Sequence, residues 1–176
     1  MSSPVKVFLV LQGANYEIEK EGGFIWAPQK AKNDKPPMFY WETLKQIDAG
    51  DILIHCLQGN VVAVSEAMAQ LTEEGWQGHS TAPMPENFTA NRQEVDGWLV
   101  KCEYVELKDY LPLGLLRDVI LKYKRDKHSA FDKNGDLNAG YCYILEPEIA
   151  DSIIEEMFHQ QPTLRQLDYL TAFLDS

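Results

Sequence analysis

A chain of 176 residues that is 45% hydrophobic, 11% aromatic and 24% charged has the size and composition of one folded domain. This composition excludes a disordered chain, and no apolar run reaches the roughly 18 residues that a membrane span requires. The three cysteines (Cys56, Cys102 and Cys142) are scattered, which argues against a disulfide framework or a zinc site. We therefore expect a cytoplasmic protein without a bound metal or cofactor.

The net charge of −11 is distributed unevenly along the chain. Residues 30–35 and 122–133 together hold eight of the 16 basic residues but three of the 27 acidic ones. This asymmetry is typical of one basic face on an acidic body, although two solvated loops would give the same pattern. The candidate phosphate-binding residues in these segments are Lys30, Lys32, Lys35, Lys122, Lys124, Arg125 and Lys127.

The first half of the chain is predicted to contain short strands joined by turns. The apolar run at 5–12 predicts a buried central strand, and the charged segment 17–21 is predicted to be a connector. A short amphipathic helix is predicted from Tyr40 to Ile47. Further strands are predicted at 24–26, 52–57 and 61–65.

The second half is predicted to be richer in helices. Residues 75–97 contain several Gly, Pro and Asn residues and predict an irregular loop, which at this length is usually functional or disordered. Strands are predicted at 97–105 and 140–145, and helices at 113–123, 148–158 and 164–173. The predicted fold class is α+β, with about five or six strands around a small mixed sheet or barrel.

Familiar catalytic motifs are missing from the sequence. There is no phosphate-binding loop or dinucleotide fingerprint, and the four histidines lie far apart in sequence. His55 and the cysteines fall in apolar strands, where a structural role is the simpler interpretation. Residues 132–136 resemble the start of a calcium loop, but Tyr143 stands where the twelfth-position Glu is needed. The chain alone is therefore predicted not to be an enzyme.

The tryptophans carry the remaining signal. Trp41 and Trp98 lie in apolar patterns that favour core positions. Trp26 stands at a strand end beside a basic loop, and Trp76 lies in the irregular stretch. Bases stack on such rings while nearby cations hold phosphates, so this pattern is consistent with a nucleic-acid reader. A protein-interaction domain remains an alternative.

Five segments in order resemble the EVE and YTH domains of the PUA-like superfamily over roughly residues 5–158. They are Phe-Ile-Trp-Ala-Pro at 24–28, the Trp-to-His segment 41–55, Gly-Asn-Val-Val-Ala-Val-Ser at 59–65, the Gly-Trp-Leu-Val segment 97–107 and Gly-Tyr-Cys-Tyr-Ile-Leu at 140–145. The resemblance implies a small, open, twisted β-barrel flanked by helices, with an aromatic pocket for a modified base. YTH relatives read methyladenine in RNA. Prokaryotic EVE-like modules read methylated or hydroxymethylated bases in DNA, commonly as targeting parts of modification-dependent restriction endonucleases.

The resemblance also implies which residues contact the base. By motif, Trp26 matches the cage tryptophan after the second strand, and Asn15 falls where polar contacts to the base arise. Trp76 is the candidate for the second cage wall, with Trp41 or Tyr16 as alternatives.

We therefore expect residues 1–158 to form a non-catalytic reader of double-stranded DNA that carries a modified base such as 5-methylcytosine. The base would be flipped out of the duplex at a cost of a few kcal/mol, while lysines bind phosphates. Residues 159–176 are expected to be a helix or linker towards a possible nuclease domain. The alternatives are an RNA-binding module of the same fold, a protein-interaction domain and a small-molecule enzyme.

Overall fold

The computed structural model describes residues 4–88 and 95–176. Residues 89–94, which belong to the predicted irregular stretch, lie outside the described residues. Ten strands are present in the described ranges: β1 (Val7–Gln12), β2 (Phe24–Pro28), β3 (Ile52–Leu57), β4 (Asn60–Glu66), β5 (Gln70–Thr72), β6 (Gly75–Gln77), β7 (Ser80–Pro83), β8 (Asp96–Lys101), β9 (Val105–Pro112) and β10 (Cys142–Ile144). The α-helices there are α1 (Tyr16–Gly22), α2 (Phe39–Glu42), α3 (Arg117–Tyr123), α4 (Pro147–Gln160) and α5 (Asp168–Leu174). Short 3₁₀ helices span Lys32–Asp34, Thr43–Gln46, Leu113–Leu116 and Pro162–Gln166.

A five-stranded sheet in the order β10-β1-β3-β4-β9 forms the centre of the molecule. Strands β1 and β3 are parallel, with Leu9 opposite Ile54, and the other pairs are antiparallel. Both strands are apolar along most of their length and almost fully buried. This confirms the prediction of central strands from continuous apolar runs.

The two faces of the central sheet support two separate cores. Successive side chains of a strand point to opposite faces. Val7 and Leu9 therefore pack with the helical side, which includes Ile153 of α4. Phe8 and Val10 instead pack on the other side with residues of β2 and β8.

A second sheet of three strands, in the order β2-β8-β7, lies over this second core. Trp26 of β2 pairs with Leu99 of β8, and Thr81 of β7 pairs with Trp98. Strands β5 and β6 form a separate hairpin in which Leu71 pairs with Trp76.

The C-terminal residues pack onto the helical side of the molecule. Leu164 and Leu170 are buried in the same core as Ile149 and Phe158 of α4. The chain on both sides of residue 158 contributes to this one core. The proposed domain boundary at residue 158 stays a prediction.

The α+β class is confirmed, whereas a barrel is not seen as one closed sheet among the described residues. The strand number exceeds the predicted five or six because β5, β6 and β7 have only three or four residues each, and Gly75 of β6 and Pro83 of β7 are residue types that predict loops. Strand β9 was not predicted, whereas the predicted helix after Pro112 is present as the 3₁₀ turn Leu113–Leu116 followed by α3, so Pro112 ends the strand and caps this turn.

The segment 17–21, predicted to be a connector, is part of helix α1. Its charged side chains mostly face solvent or pair, as Lys20 does with Glu17 at 2.8 Å. Glu19 is the exception, being buried and hydrogen-bonded. Gly23 ends the helix with φ of 72°, a left-handed conformation that suits glycine.

Candidate functional site

Trp26 lies in the middle of β2 and is held at several atoms. Its indole Nε1–H donates to the carbonyl oxygen of Ala82 at 3.1 Å, and its backbone N–H donates to Glu19 Oε2 at 3.1 Å. The side chain is 0% exposed. The structure thus fixes the orientation of this indole and covers it completely.

Two aromatic side chains and one glycine surround the Trp26 ring. Phe88 meets it edge-on, with ring centroids 5.7 Å apart and an interplanar angle of 84°. Phe88 also lies nearly parallel to Phe24, with centroids 6.3 Å apart. Gly97 lies against the other part of the indole, where a Cβ atom would come within 2.3 Å of the ring. We call the space bounded by Phe24, Trp26 and Gly97 and filled by Phe88 the aromatic slot.

A buried polar network supports the backbone of the aromatic slot. The Glu19 carboxylate accepts hydrogen bonds from the Tyr141 hydroxyl and the Trp26 amide. Gln12 Nε2 donates to Tyr104 Oη at 2.8 Å, and Tyr104 in turn donates to the Phe24 carbonyl at 2.9 Å. Because buried polar groups are costly unless they are paired, this network favours one arrangement of the slot.

His55 closes the network on the central sheet. It is 0% exposed, stacks on Tyr104 at 3.9 Å and lies 2.8 Å from Gln12 Oε1 and 2.7 Å from Ser65 Oγ. Since Gln12 Oε1 can only accept, Nδ1 carries the proton and Nε2 accepts from Ser65. The prediction that His55 is a satisfied structural residue is confirmed.

Burial lowers the pKa of His55 to about 3, whereas an unfolded histidine titrates near about 6.5. Below pH 6.5 the unfolded chain therefore binds a proton that the folded protein does not, so stability falls as the pH drops. We expect a loss of up to about 1.4 kcal/mol per pH unit from this residue. Urea unfolding at pH 7, 6, 5 and 4 should show a shallower pH dependence for His55→Gln than for the wild type. Equal slopes in the two proteins would contradict this assignment.

Trp76 lies elsewhere, on the β5–β6 hairpin, and its side chain is 69% exposed. It lines an open cleft of about 1040 Å³ together with Trp98 and Lys101, and Trp26 is not among the described residues that line this cleft. The sequence predicted Trp26 and Trp76 to form two walls of one hollow. The structure does not bring them together in this way. Glu73 and Glu74 at the hairpin tip also line the cleft, and their charge disfavours a phosphate backbone there.

The other candidate base-binding residues occupy different positions. Asn15 and Tyr16 are buried at the start of α1, and Tyr16 packs edge-on against Tyr104 at 6.1 Å. Trp41 is partly buried against the core under the second sheet. Any role of these three residues in base binding stays a prediction.

An aromatic contact links helix α2 to the second basic segment. Phe39, which follows the first segment, stacks on His128 of the second with centroids 4.1 Å apart. Lys32, Lys35, Lys122 and Lys127 are exposed, and Lys30 makes a loose pair of 3.9 Å with Asp34. Any contact of these five lysines with phosphates stays a prediction.

Arg125 and Lys124 do not fit the predicted phosphate-binding role. Arg125 forms an ion pair with Glu146, donates to the Ile144 carbonyl at 2.7 Å and donates to the His128 carbonyl at 3.0 Å. The Lys124 side chain is 12% exposed and lies 3.7 Å from Asp126. Arg125 in particular holds the segment against the body of the protein.

Three further findings concern the cysteines, possible metal ligands and the lengths of the helices. All three cysteines are free and buried, as expected of core residues. Within residues 4–88 and 95–176 no three His, Cys, Asp or Glu side chains are grouped as metal ligands. No helix in these ranges combines the length and the apolar character needed to cross a membrane.

The sequence pattern did not single out three residues of this location, namely Phe88 and the polar partners Glu19 and Tyr141. Phe88 lies in a stretch whose Gly, Pro and Asn content indicated a loop, and a single aromatic there carries no periodic signal. Glu19 looked like one more exposed charge in 17–21. The nearby Phe-Ile-Trp motif was the only sequence signal that pointed to this location.

No protein-family model matches the sequence, and no curated protein matches it significantly. Among solved structures, the Pho92 YTH domain in complex with m6A matches with a TM-score of 0.54 at 12% identity, covering 89% of each chain. A hypothetical protein from Leishmania major matches with a TM-score of 0.51 at 9% identity, covering 89% of this chain and 97% of that one. The N-terminal domain of Staphylothermus marinus McrB gives a TM-score of 0.47 at 11% identity, covering 90% and 96%, which is too low to support a shared fold by itself.

The chain therefore has a mixed α+β fold that resembles the fold of the Pho92 YTH domain. At these sequence identities the likeness concerns the fold, and function has to be argued from the residues of this chain.

Proposed function

We propose that this protein is a non-catalytic reader of a modified base in nucleic acid, with the base bound against Trp26. The observation that carries the proposal is the aromatic slot itself. An indole is fixed by hydrogen bonds at both its ring nitrogen and its backbone, and the space beside it holds an aromatic ring from a separate segment, Phe88. Aromatic platforms of this kind bind bases by stacking, worth about 1–3 kcal/mol for each base.

The surroundings of Trp26 support recognition of an extruded base. Phe24 supplies a second aromatic ring, and Gly97 removes the bulk that would otherwise displace the indole. A methyl or hydroxymethyl group adds apolar contact area in such a slot, and this area distinguishes the modified base from the unmodified one. A base in a duplex must be flipped out to reach the slot.

The exposed lysines supply affinity that does not depend on sequence. The segment with Lys30, Lys32 and Lys35 begins two residues after β2 ends, close in sequence to Trp26. The exposed Lys122 and Lys127 lie in the second basic segment. We propose that these lysines contact phosphates and that the acidic C-terminal helices face away from them.

We propose DNA as the nucleic acid and a nuclease-targeting role in a larger protein, with RNA as the alternative. The described residues offer no grouped metal ligands for catalysis, and the pKa values of the buried cysteine thiols are raised by burial, which keeps these thiols unreactive.

The test is a titration of the wild-type protein with matched oligonucleotides at two salt concentrations. The DNA duplexes carry cytosine, 5-methylcytosine or 5-hydroxymethylcytosine at one position, and the RNA strands carry adenine or N6-methyladenine. We expect at least about 10-fold tighter binding to one modified form, equal to about 1.4 kcal/mol, and weaker binding of every strand at higher salt. Equal affinity for all strands would refute a modified-base reader.

A further inference from the structure

We propose that the Phe88 side chain is an internal occupant of the aromatic slot, so that a base reaching Trp26 must first displace it. This inference rests on the proposed function, because it names what competes with the base at that same site.

The ring geometry supports this inference. Aromatic pairs favour edge-on or offset arrangements with centroids about 4.5–7 Å apart. Phe88 makes both kinds of contact at once, at 5.7 Å to Trp26 and 6.3 Å to Phe24. It is 8% exposed, and with it in place Trp26 is 0% exposed. The phenyl ring therefore fills the place where a planar ligand would meet the indole.

Of the two partners, Phe88 is the one that lies outside the paired strands. Trp26 is part of β2, and the Glu19 carboxylate and the Ala82 carbonyl fix its two N–H groups. Phe88 lies beyond the last pair of β7 and β8, which is Pro83 with Asp96. Its N–H donates to the Pro85 carbonyl at a long 3.4 Å, and the preceding Asn87 has φ of 69°. Segments outside paired strands open more readily than the strands themselves.

Competition by Phe88 affects modified and unmodified bases equally. If the slot is open for only a fraction of the time, the apparent dissociation constant of every ligand rises by the inverse of that fraction. The ratio between modified and unmodified bases is unchanged. Phe88 therefore lowers the affinity of the site for every base by the same factor, while the slot walls set the preference.

The experiment compares Phe88→Ala with the wild type in the oligonucleotide titration. We expect binding to both the modified and the unmodified strand to tighten about 10-fold, with their ratio preserved, as for a slot open one tenth of the time. Acrylamide quenching of tryptophan emission, measured in a Trp76→Phe background to remove the most exposed indole, should increase. Tyr110→Ala, which removes a 53% exposed aromatic ring, is the matched control and should change neither measurement.

Two results would overturn the inference. If Phe88→Ala binds the modified strand more weakly and discriminates less between modified and unmodified strands, Phe88 is a wall of the slot that contacts the base. If the affinities of Phe88→Ala are unchanged, Phe88 does not compete with the base. Should Phe88→Ala fail to fold, Phe88→Leu keeps an apolar cover and should tighten both strands by a smaller factor. A wild type that binds modified and unmodified strands equally would refute the reader function. The quenching experiment needs no nucleic acid, so it would still test whether Phe88 covers Trp26.

Discussion

Replacing Trp26 with alanine is expected to lower the free energy of unfolding by about 3–5 kcal/mol and to abolish the preference for a modified base. The indole is fully buried between Phe88 and Gly97, so its removal leaves a large cavity. It also leaves the Ala82 carbonyl without its indole donor. Chemical denaturation measures the first effect, and titration with modified and unmodified strands measures the second.

Two further variants separate stability from recognition. Trp26→Phe keeps an aromatic ring in the slot, so it should fold and retain a weakened preference. Trp76→Ala removes an exposed indole, so its stability should change by less than about 0.5 kcal/mol and its preference should persist. If Trp26→Phe folds and keeps its full preference for the modified base while Trp76→Ala loses this preference, the base binds in the hairpin cleft and not at Trp26.

Replacing Arg125 with alanine is expected to cost about 2 kcal/mol of stability, because Glu146 would keep a largely buried charge without its partner. The Glu146 side chain is 14% exposed, and Arg125 also donates to the carbonyls of His128 and Ile144. Thermal and urea unfolding of Arg125→Ala measure this loss.

The matched control for Arg125 is Lys127→Ala, two residues away and exposed. It should leave stability unchanged and weaken binding to every strand alike. The slope of log affinity against log salt concentration should fall by about one, as expected for the loss of one phosphate contact. An Arg125→Ala protein as stable as the wild type would contradict the structural role of this ion pair.

The sequence predicted the structure best where apolar residues run through a whole strand. Continuous apolar runs identified β1 and β3 because both of their faces are buried. The buried His55 could be interpreted correctly because its neighbours in the strand are apolar. These are local properties, and local patterns are what a single sequence carries.

Long-range contacts could not be predicted in the same way. The contact between Phe88 and Trp26 joins residues 62 positions apart, and the Glu19–Tyr141 hydrogen bond joins residues 122 positions apart. Arg125 looked like one more basic residue in a basic segment, because its partner Glu146 lies 21 positions away. An isolated tryptophan near lysines likewise indicated an exposed ring, whereas β8 and Phe88 cover Trp26.

The central claim is that a modified base binds at Trp26, and the four indole N–H signals in a ¹⁵N-correlated NMR spectrum test it without altering the protein. Each signal can be assigned by a single Trp→Phe substitution. On addition of the preferred modified strand, the Trp26 signal should shift most, because its indole ring bounds the aromatic slot and its N–H group donates to Ala82. A Trp26 signal that stays in place while that of Trp76 or Trp98 shifts would contradict the account.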